Sequence, residues 1–551
     1  MYTPPIDDMT FLLQHVTGFS DMPQAQDLDA DTVRAVLEEA GKLAADILAP
    51  LNKPGDDFGA KLEDGVVTTA PGFKDAYAAY RDGGWNAVPF PEDHGGQGLP
   101  WALAFPLQEM WQAANMSFGL CPLLNQGAVE AILAHGSDEQ KACYLPKLIS
   151  GEWTGTMNLT EPQAGSDLAA VKSRAEPAQD GLYHVFGQKI YITYGEHDFA
   201  DNIIHLVLAR LLDAPEGVKG ISLFIVPKYL EDGTRNDVMC TGIEHKLGIH
   251  ASPTCTMQYG DKGGAVAELV GEPHQGLKYM FTMMNNARLS VGLQGVAISE
   301  RALQHAQHFA DERVQGKDLT SGEQTVISSH PDVRRMLNMM RALTEAGRAM
   351  AYDAAIMLDK AEAGDETARA RVDLLTPIVK SWCTDRSIEV ASLGVQVHGG
   401  MGFVEETGAA QYYRDARILP IYEGTNGIQA MDLLFRKILR DQGAALKLFI
   451  AQLTDTLSDV PQAKAVLEAL VKTTDVLAQD TDSASQAHHA CDLLDGLGYL
   501  FGAEMLQRQL AHVRHLPDKL AAQKTETIRF YHNHIMPRAA AHFQSILNSY
   551  A

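Results

Sequence analysis

Ile421-Tyr422-Glu423-Gly424-Thr425-Asn426-Gly427-Ile428-Gln429 is the stretch on which the reading of this chain turns. Gly424 and Gly427 break any regular element there, and from Ile428 a helical spacing runs through Met431, Leu434 and Phe435. Glu423 is therefore expected on a tight connection at a helix start, aimed by its own backbone. The helix macrodipole alone would also favour an acidic residue at that place. The rest of the chain has to decide between a structural and a chemical carboxylate.

Working outward, helical period dominates the neighbourhood. Met280, Met284, Arg288, Val291 and Gln294 share one face, and Val333, Met336, Leu337, Met340, Leu343, Gly347, Met350, Ala354 and Met357 share another. Thr376 to Val397 and Ile428 to Leu439 give two more helices, so residues 272–440 are expected to form a four-helix bundle. The Met-rich stripe reads as core. Before it, short β-rich runs such as Lys189-Ile190-Tyr191-Ile192-Thr193, Ile203 to Ala209 and Ile221 to Val226 are separated by Gly, Pro and Asp, and give a compact β domain over residues 158–271. Residues 1–157 read mostly helical, with a stripe from Val33 to Ile47 that Asn52-Lys53-Pro54-Gly55 is expected to end. Residues 441–551 are again helical. Their apolar faces, such as Leu446, Phe449, Ile450, Leu453 and Leu457, read as a packing and dimerisation element without chemistry of its own.

Bulk properties exclude several classes. Of the 551 residues 46% are hydrophobic, enough for a large core without staples. Lys plus Arg is 45 against 70 Asp plus Glu, a formal net charge of -25. That balance argues against a nucleic-acid footprint and against loose docking on anionic membrane. The six cysteines lie far apart in sequence and make neither a disulfide framework nor a zinc pattern, which suits a reducing cytoplasm. His488, His489, His532 and His534 lack ligand spacing, so no metal site is expected. The N-terminus lacks the basic flank of a signal peptide, and no apolar run reaches membrane-spanning length.

Three further stretches can carry chemistry. Asn158-Leu159-Thr160-Glu161-Pro162-Gln163-Ala164-Gly165-Ser166-Asp167 runs from a strand end into a turn rich in hydroxyls and backbone N–H groups, which can hold the polar edge of a ligand. Gln396-Val397-His398-Gly399-Gly400-Met401-Gly402-Phe403 puts glycines between two helical segments, where backbone can approach a phosphate. It is not the strand-following G-x-G-x-x-G of a Rossmann site. In Gly187-Gln188-Lys189-Ile190-Tyr191-Ile192-Thr193, alternation puts Tyr191 and Thr193 on one face, an aromatic beside a hydroxyl.

Together, TEPQAGSD, GQKIYIT, EHKLGIHASPT, QVHGGMGF, YRDAR and IYEGTNGIQ resemble the acyl-CoA dehydrogenase family in order and approximate spacing, over roughly residues 30 to 440. The long tail, with MNLTEPQAGSDL and YGEHD, is similar to the family's long bacterial branch, which includes enzymes acting on 3-methylmercaptopropionyl-CoA. The resemblance implies a mainly α protein with an N-terminal helical domain, a middle β-barrel domain, a C-terminal four-helix bundle and here a C-terminal helical extension. It implies FAD held between β domain and bundle, partly against a neighbouring subunit of a homodimer. It implies an acyl-CoA substrate, dehydrogenated to a trans-2-enoyl-CoA, and electron-transfer flavoprotein as partner. An acyl-CoA oxidase using oxygen, or a flavin-dependent desulfinase or lyase on the same fold, are the alternatives. Glu423 matches the family's catalytic base. Met157, Leu159, Thr160, Ser166, Tyr191 and Thr193 match flavin-lining positions, with Tyr191 in place of the commoner Trp. Arg313 matches the pyrophosphate-binding arginine contributed across the dimer, Gln396, Gly399 and Gly400 the adenosine side, and Thr425 a contact following the base. Ser166, Ser252, Asn285, Arg288 and Gly424 match substrate-binding positions, Asn285 standing where some members have Asp.

Overall fold

The computed structural model describes residues 2–551 apart from the side chains of Thr282, Met283 and Asn285, so the expected Asn285 contact lies outside the described residues. The chain packs as two compact units. One holds Asp46–Leu99 and Asn115–Ala287; the other holds the N-terminal stretch to Ala45, Pro100–Ala114 and Arg288–Ala551.

The first unit is built on an eight-stranded sheet: β1 (Trp153–Asn158), β2 (Arg174–Pro177), β3 (Tyr183–Thr193), β4 (Asn202–Leu211), β5 (Ile221–Pro227), β6 (Val238–Ile243), β7 (Thr254–Tyr259) and β8 (Ala265–Leu269). Strand β8 pairs with both β5 and β3, closing a ring β8-β5-β4-β2-β3, while β7 and β6 extend from β3. Closure pairs each strand of the ring on both sides. Strand β1 lies parallel to β4, Trp153 opposite Asn202 and Asn158 opposite Val207. Every residue of β5 is buried, so this strand carries Ile, Leu, Phe and Val without polar alternation. The helix Met116–His135 covers β1 so closely that a Cβ on Gly155 would sit 2.2 Å from the Ala128 Cβ. Val185, Ile192, Val207, Phe224, Val226, Met257 and Tyr259 fill the core.

Asn52-Lys53-Pro54-Gly55 does not stop the chain's helical course: Asn52–Phe58 is itself a helix. Pro54 falls in its first turn, where no backbone donor is needed. Gly55 lies where a Cβ would come within 2.8 Å of the Phe73 ring.

The second unit is helical throughout its core. Its principal helices are α1 (Trp101–Ala114), α2 (Gly276–Glu312, of which Arg288 onward belongs here), α3 (Pro331–Glu362), α4 (Glu366–His398), α5 (Asn426–Met431), α6 (Ala490–Leu510) and α7 (Asp518–Phe530). The Met-rich stripe of α3 is core: Met336, Leu337, Met340, Leu343 and Met350 are buried. Glycines set the spacing of α2 and α4, since a Cβ on Gly295 would lie 2.6 Å from the Cys383 carbonyl. The C-terminal extension packs on the bundle of its own chain. Gly498 of α6 admits the Trp382 ring, which a Cβ would meet at 2.4 Å, and Tyr499 stands edge-on to Trp382 at 5.7 Å.

A buried charge cluster ties this unit together. The Arg348 guanidinium on α3 donates to Glu109 (2.8 Å), Asp8 (2.9 Å) and Glu300 (2.6 Å). Lys524 of α7 donates to Asp8 (2.5 Å) and lies 2.8 Å from Glu345. Desolvation opposes charge on each of these groups, so the cluster holds only because every charge has a partner. Lys524→Met should leave Glu345 without its cation and Asp8 with Arg348 alone, and lower stability by about 3–5 kcal/mol. Urea denaturation measures this, and an unchanged midpoint would contradict the structural role assigned to Lys524.

Candidate active site

The Ile421–Gln429 stretch forms a tight turn into α5, with Thr425 as N-cap accepting from the Ile428 N–H (3.3 Å). Glu423 and Gly424 are both left-handed, at φ 54° and 85°. For glutamate that conformation costs on the order of 1–3 kcal/mol and persists only where the surroundings enforce it. The enforcement is visible. The Gln429 side-chain amide donates to the Glu423 carbonyl (3.3 Å), and the Lys380 ammonium donates to the Gly424 carbonyl (2.8 Å) and to Asn426 Oδ1 (2.8 Å). Asn426 in turn donates to Thr384 Oγ1 (3.0 Å) and the Ser381 carbonyl (3.2 Å) of α4. Tyr422 is anchored through its hydroxyl to Gln294 of α2. Among the described residues no protein acceptor takes the Glu423 N–H.

Glu423 is half-buried, and burial raises its carboxyl above the ordinary value while Arg288 and Lys380 oppose the rise. Arg288 is itself buried and 3.3 Å from Asp432. The arrangement is a strained carboxylate made more basic by desolvation, kept near two cations, beside an uncommitted backbone donor. It can accept a proton from a weak carbon acid and donate a hydrogen bond to the oxygen on which charge then develops.

The β unit holds a second group. Strand β3 bulges where Ile190 and Tyr191 together oppose Thr256, Lys189 pairing with Met257 and Ile192 with Cys255. Tyr191 sits there at φ 60°, 60% exposed, with Ile192 buried behind it and Thr193 half-exposed. The Ile190 N–H donates to the Thr160 carbonyl (2.9 Å) and Thr156 Oγ1 to the Thr193 carbonyl (2.7 Å). Met157, Leu159, Thr160, Tyr191 and Thr193 are thereby gathered where β1 ends and β3 bulges. Glu161 pins the turn. It lies 2.8 Å from Lys189 and accepts from the Lys172 and Ser173 N–H groups (2.7 and 3.0 Å). Burial would raise its carboxyl, but Lys189 and these donors hold it down at about 2. Ser166 lies exposed on the same turn, and Ser252 is buried on the loop before β7, its N–H donating to the Ile249 carbonyl.

The helical unit does not gather all of its predicted residues. Glu423, Gly424, Thr425 and Arg288 lie together. Gln396, Gly399 and Gly400 lie exposed at the end of α4, where His398 stacks on Phe309 at 4.5 Å, one turn before the exposed Arg313. Along α2, Arg288 and Arg313 are 25 residues apart, or about 37 Å of helix. One copy of the chain therefore carries its candidate base and its candidate phosphate arginine far from each other. Gly399 (φ 60°) and Gly400 leave the α4 terminus open, with nothing within 4 Å of a Cβ on either.

Comparison with known proteins now decides the family. Residues 30–152, 156–261 and 274–438 match the acyl-CoA dehydrogenase N-terminal, middle and C-terminal domains, and 436–550 an acetyl-CoA dehydrogenase C-terminal-like domain. The chain is 50% identical over 485 residues to a 3-methylmercaptopropionyl-CoA dehydrogenase of Ruegeria pomeroyi, covering 86% of this chain and 82% of that one. It is 38% identical to a butyryl-CoA dehydrogenase of Syntrophomonas wolfei, over 78% of this chain and 73% of the relative. The fold is that of an acyl-CoA dehydrogenase from Bacillus anthracis solved in complex with FAD, at a TM-score of 0.79 and 21% identity, covering 98% and 92% of the two chains. The chain belongs to the acyl-CoA dehydrogenase family.

For this acyl-CoA dehydrogenase, sequence reading passed over Lys380 and Gln429, which hold the Glu423 turn. Lys380 sits in Thr376–Val397, read only as a helix. Its one signal was a lysine inside an otherwise apolar run, Leu374-Leu375-Thr376-Pro377-Ile378-Val379-Lys380-Ser381-Trp382. The Glu161–Lys189 pair predicts an acid-sensitive turn. Because folding lowers the Glu161 value from about 4.5 to about 2, its stabilisation is present above the unfolded value and is lost as pH falls through that interval. Between about pH 5 and about pH 3 the urea midpoint of the protein should fall more steeply than that of Glu161→Gln. Parallel pH dependences would contradict the pair.

Proposed function

We propose that the chain is an FAD-dependent acyl-CoA dehydrogenase in which Glu423 removes the α-proton of a CoA thioester, giving the trans-2-enoyl-CoA. The observation that carries this is Glu423 itself: half-buried, left-handed, raised in basicity by burial, with its own N–H uncommitted. Glu423 takes the proton as its N–H donates to the thioester oxygen, so one residue supplies both the base and part of the charge stabilisation. The match to the family's motifs makes Arg288, Gly424, Ser166 and Ser252 the proposed substrate-binding residues.

The chain's residues fit FAD. The exposed Tyr191 ring beside Thr160 and Thr193 suits a flat heteroaromatic edge with polar atoms, and Met157, Leu159 and Ser166 complete the lining. Gly399 and Gly400, open to close approach, and Gln396 suit the adenosine end, Arg313 the pyrophosphate and Thr425 the turn after the base. When bound, FAD supplies the acceptor for the hydride leaving the β-carbon. Because Arg313 stands about 37 Å of helix from Arg288, which lies with Glu423, one FAD that reaches both the candidate base and an Arg313 needs two copies of the chain, which supports a homodimer. Electron-transfer flavoprotein is the proposed acceptor of the electrons. The 50% identity with the Ruegeria enzyme supports 3-methylmercaptopropionyl-CoA as substrate.

Anaerobic titration of the yellow protein with 3-methylmercaptopropionyl-CoA and with butyryl-CoA should bleach the flavin, the first at lower concentration. Glu423→Gln should retain FAD and bind thioester but bleach about 10²–10⁴-fold more slowly or not at all. Near-normal bleaching by Glu423→Gln would reject the base. Turnover that consumes oxygen without electron-transfer flavoprotein would reject the acceptor. Arg313→Ala should weaken FAD retention by about 1.5–3 kcal/mol and loosen the dimer together, read by flavin content after gel filtration; full retention would reject the cross-subunit role.

A further inference from the structure

Lys380 is fully buried in the middle of α4, yet its hydrogen bonds go to no carboxylate. A buried ammonium is ordinarily retained by an acidic partner at bonding distance. Here both bonds are spent on the turn that carries Glu423: the Gly424 carbonyl and the Asn426 side chain, each at 2.8 Å. The remaining bonds of the turn lead back to the same stretch of helix, because Asn426 donates to Ser381 and Thr384. One turn of α4, Lys380 to Thr384, thus fixes Gly424 and Asn426, while Gln429 fixes Glu423 from the far side.

We propose that Lys380 is a positioning residue for α-proton abstraction: it pins the left-handed Glu423–Gly424 turn through the Gly424 carbonyl and places a positive charge near the Glu423 carboxylate. Burial pushes the Lys380 ammonium down to about 8, so this charge is complete on the acid side of that value, where Glu423 titrates. The inference rests on the assignment of Glu423 as base. Two successive left-handed residues turn the Glu423 and Gly424 carbonyls away from regular structure, and each needs a side-chain donor: Gln429 serves the first and Lys380 the second. Lysine suits the place because its ammonium offers three donors and carries charge, so both bonds on the turn are charge-assisted. The charged and titratable groups around it are Glu423 and Tyr422 in the turn, Asp385 on α4 and Arg288 on α2, the last paired with Asp432. Lys380 and Arg288 both favour the ionised form of Glu423, against burial. Loss of the Lys380 charge should therefore raise the pH at which Glu423 becomes active, and loss of its hydrogen bonds should misaim the carboxylate. A misplacement on the order of 1 Å costs about 10²-fold in rate.

The test compares the holoenzyme with Lys380→Met, Lys380→Arg, Asn426→Ala and Glu423→Gln, following anaerobic flavin bleaching by an acyl-CoA across pH, with flavin content and thermal midpoint as checks on folding. Lys380→Met should keep FAD, lose about 10–100-fold in kcat with a smaller change in KM, and move its acid limb to higher pH. Lys380→Arg should keep the acid limb near that of the unaltered protein, because the charge is retained, while losing part of the rate. Asn426→Ala removes the second anchor without touching the charge, so kcat should fall with the acid limb in place; this variant carries the test if Lys380→Met fails to fold. An unaltered rate and acid limb in Lys380→Met, or an unaltered rate in Asn426→Ala, overturns the positioning role. Normal bleaching by Glu423→Gln overturns the base assignment, and the inference with it. An inactive Glu423→Gln beside a fully active Lys380→Met overturns the inference alone.

Discussion

The contact on which the candidate site depends is the buried ammonium of Lys380 against the Gly424 carbonyl. A left-handed glutamate is unfavourable in isolation, and it occurs here because its turn is bound at successive points. Each bond carries a cost elsewhere. Lys380 gives up hydration with no carboxylate at bonding distance, and Gln429 is buried with its side-chain oxygen unpaired. Such local losses beside a strained residue mark a place where geometry is maintained against stability.

The β unit follows the same logic with different means. A bulge aims Tyr191 outward, and a buried Glu161–Lys189 pair holds the neighbouring turn against that bulge. Both partners of the pair lie within sequence motifs of the family, but as structural members behind the lining and not as part of it. The closed ring of strands gives β3 a rigid base, and the bulge lies where the β3–β7 ladder extends from that ring.

In the helical unit, stability is concentrated where distant segments meet. Asp8, Glu109, Glu300, Glu345, Arg348 and Lys524 come from the N-terminal helix, α1, α2, α3 and α7, yet form one network without an excess unpaired cation. The network makes the C-terminal extension part of the bundle, as does the seat of Trp382 on Gly498. Trp382 is two residues beyond Lys380 on α4, so the helix that clamps the turn is itself backed by the extension.

The sequence by itself determined the fold class and the family. Period 3.6 against period 2 separated bundle from β domain, and motifs in one order, from TEPQAGSD to IYEGTNGIQ, are specific in combination where each alone is weak. Glycines also placed the break before α5, because they report backbone freedom directly. Local rules misread Asn52-Lys53-Pro54-Gly55, where a proline in a first helical turn and a glycine against Phe73 continue a helix. Only the tertiary structure decided the rest. The sign of φ at Glu423 and Tyr191 is imposed by contacts and not by residue type. Lys380 and Asn426 are 46 residues apart, and Asp8 and Lys524 are 516 apart. No periodicity reports such pairings, because a buried charge is tolerable only beside a partner that the fold, and not the neighbouring sequence, brings to it.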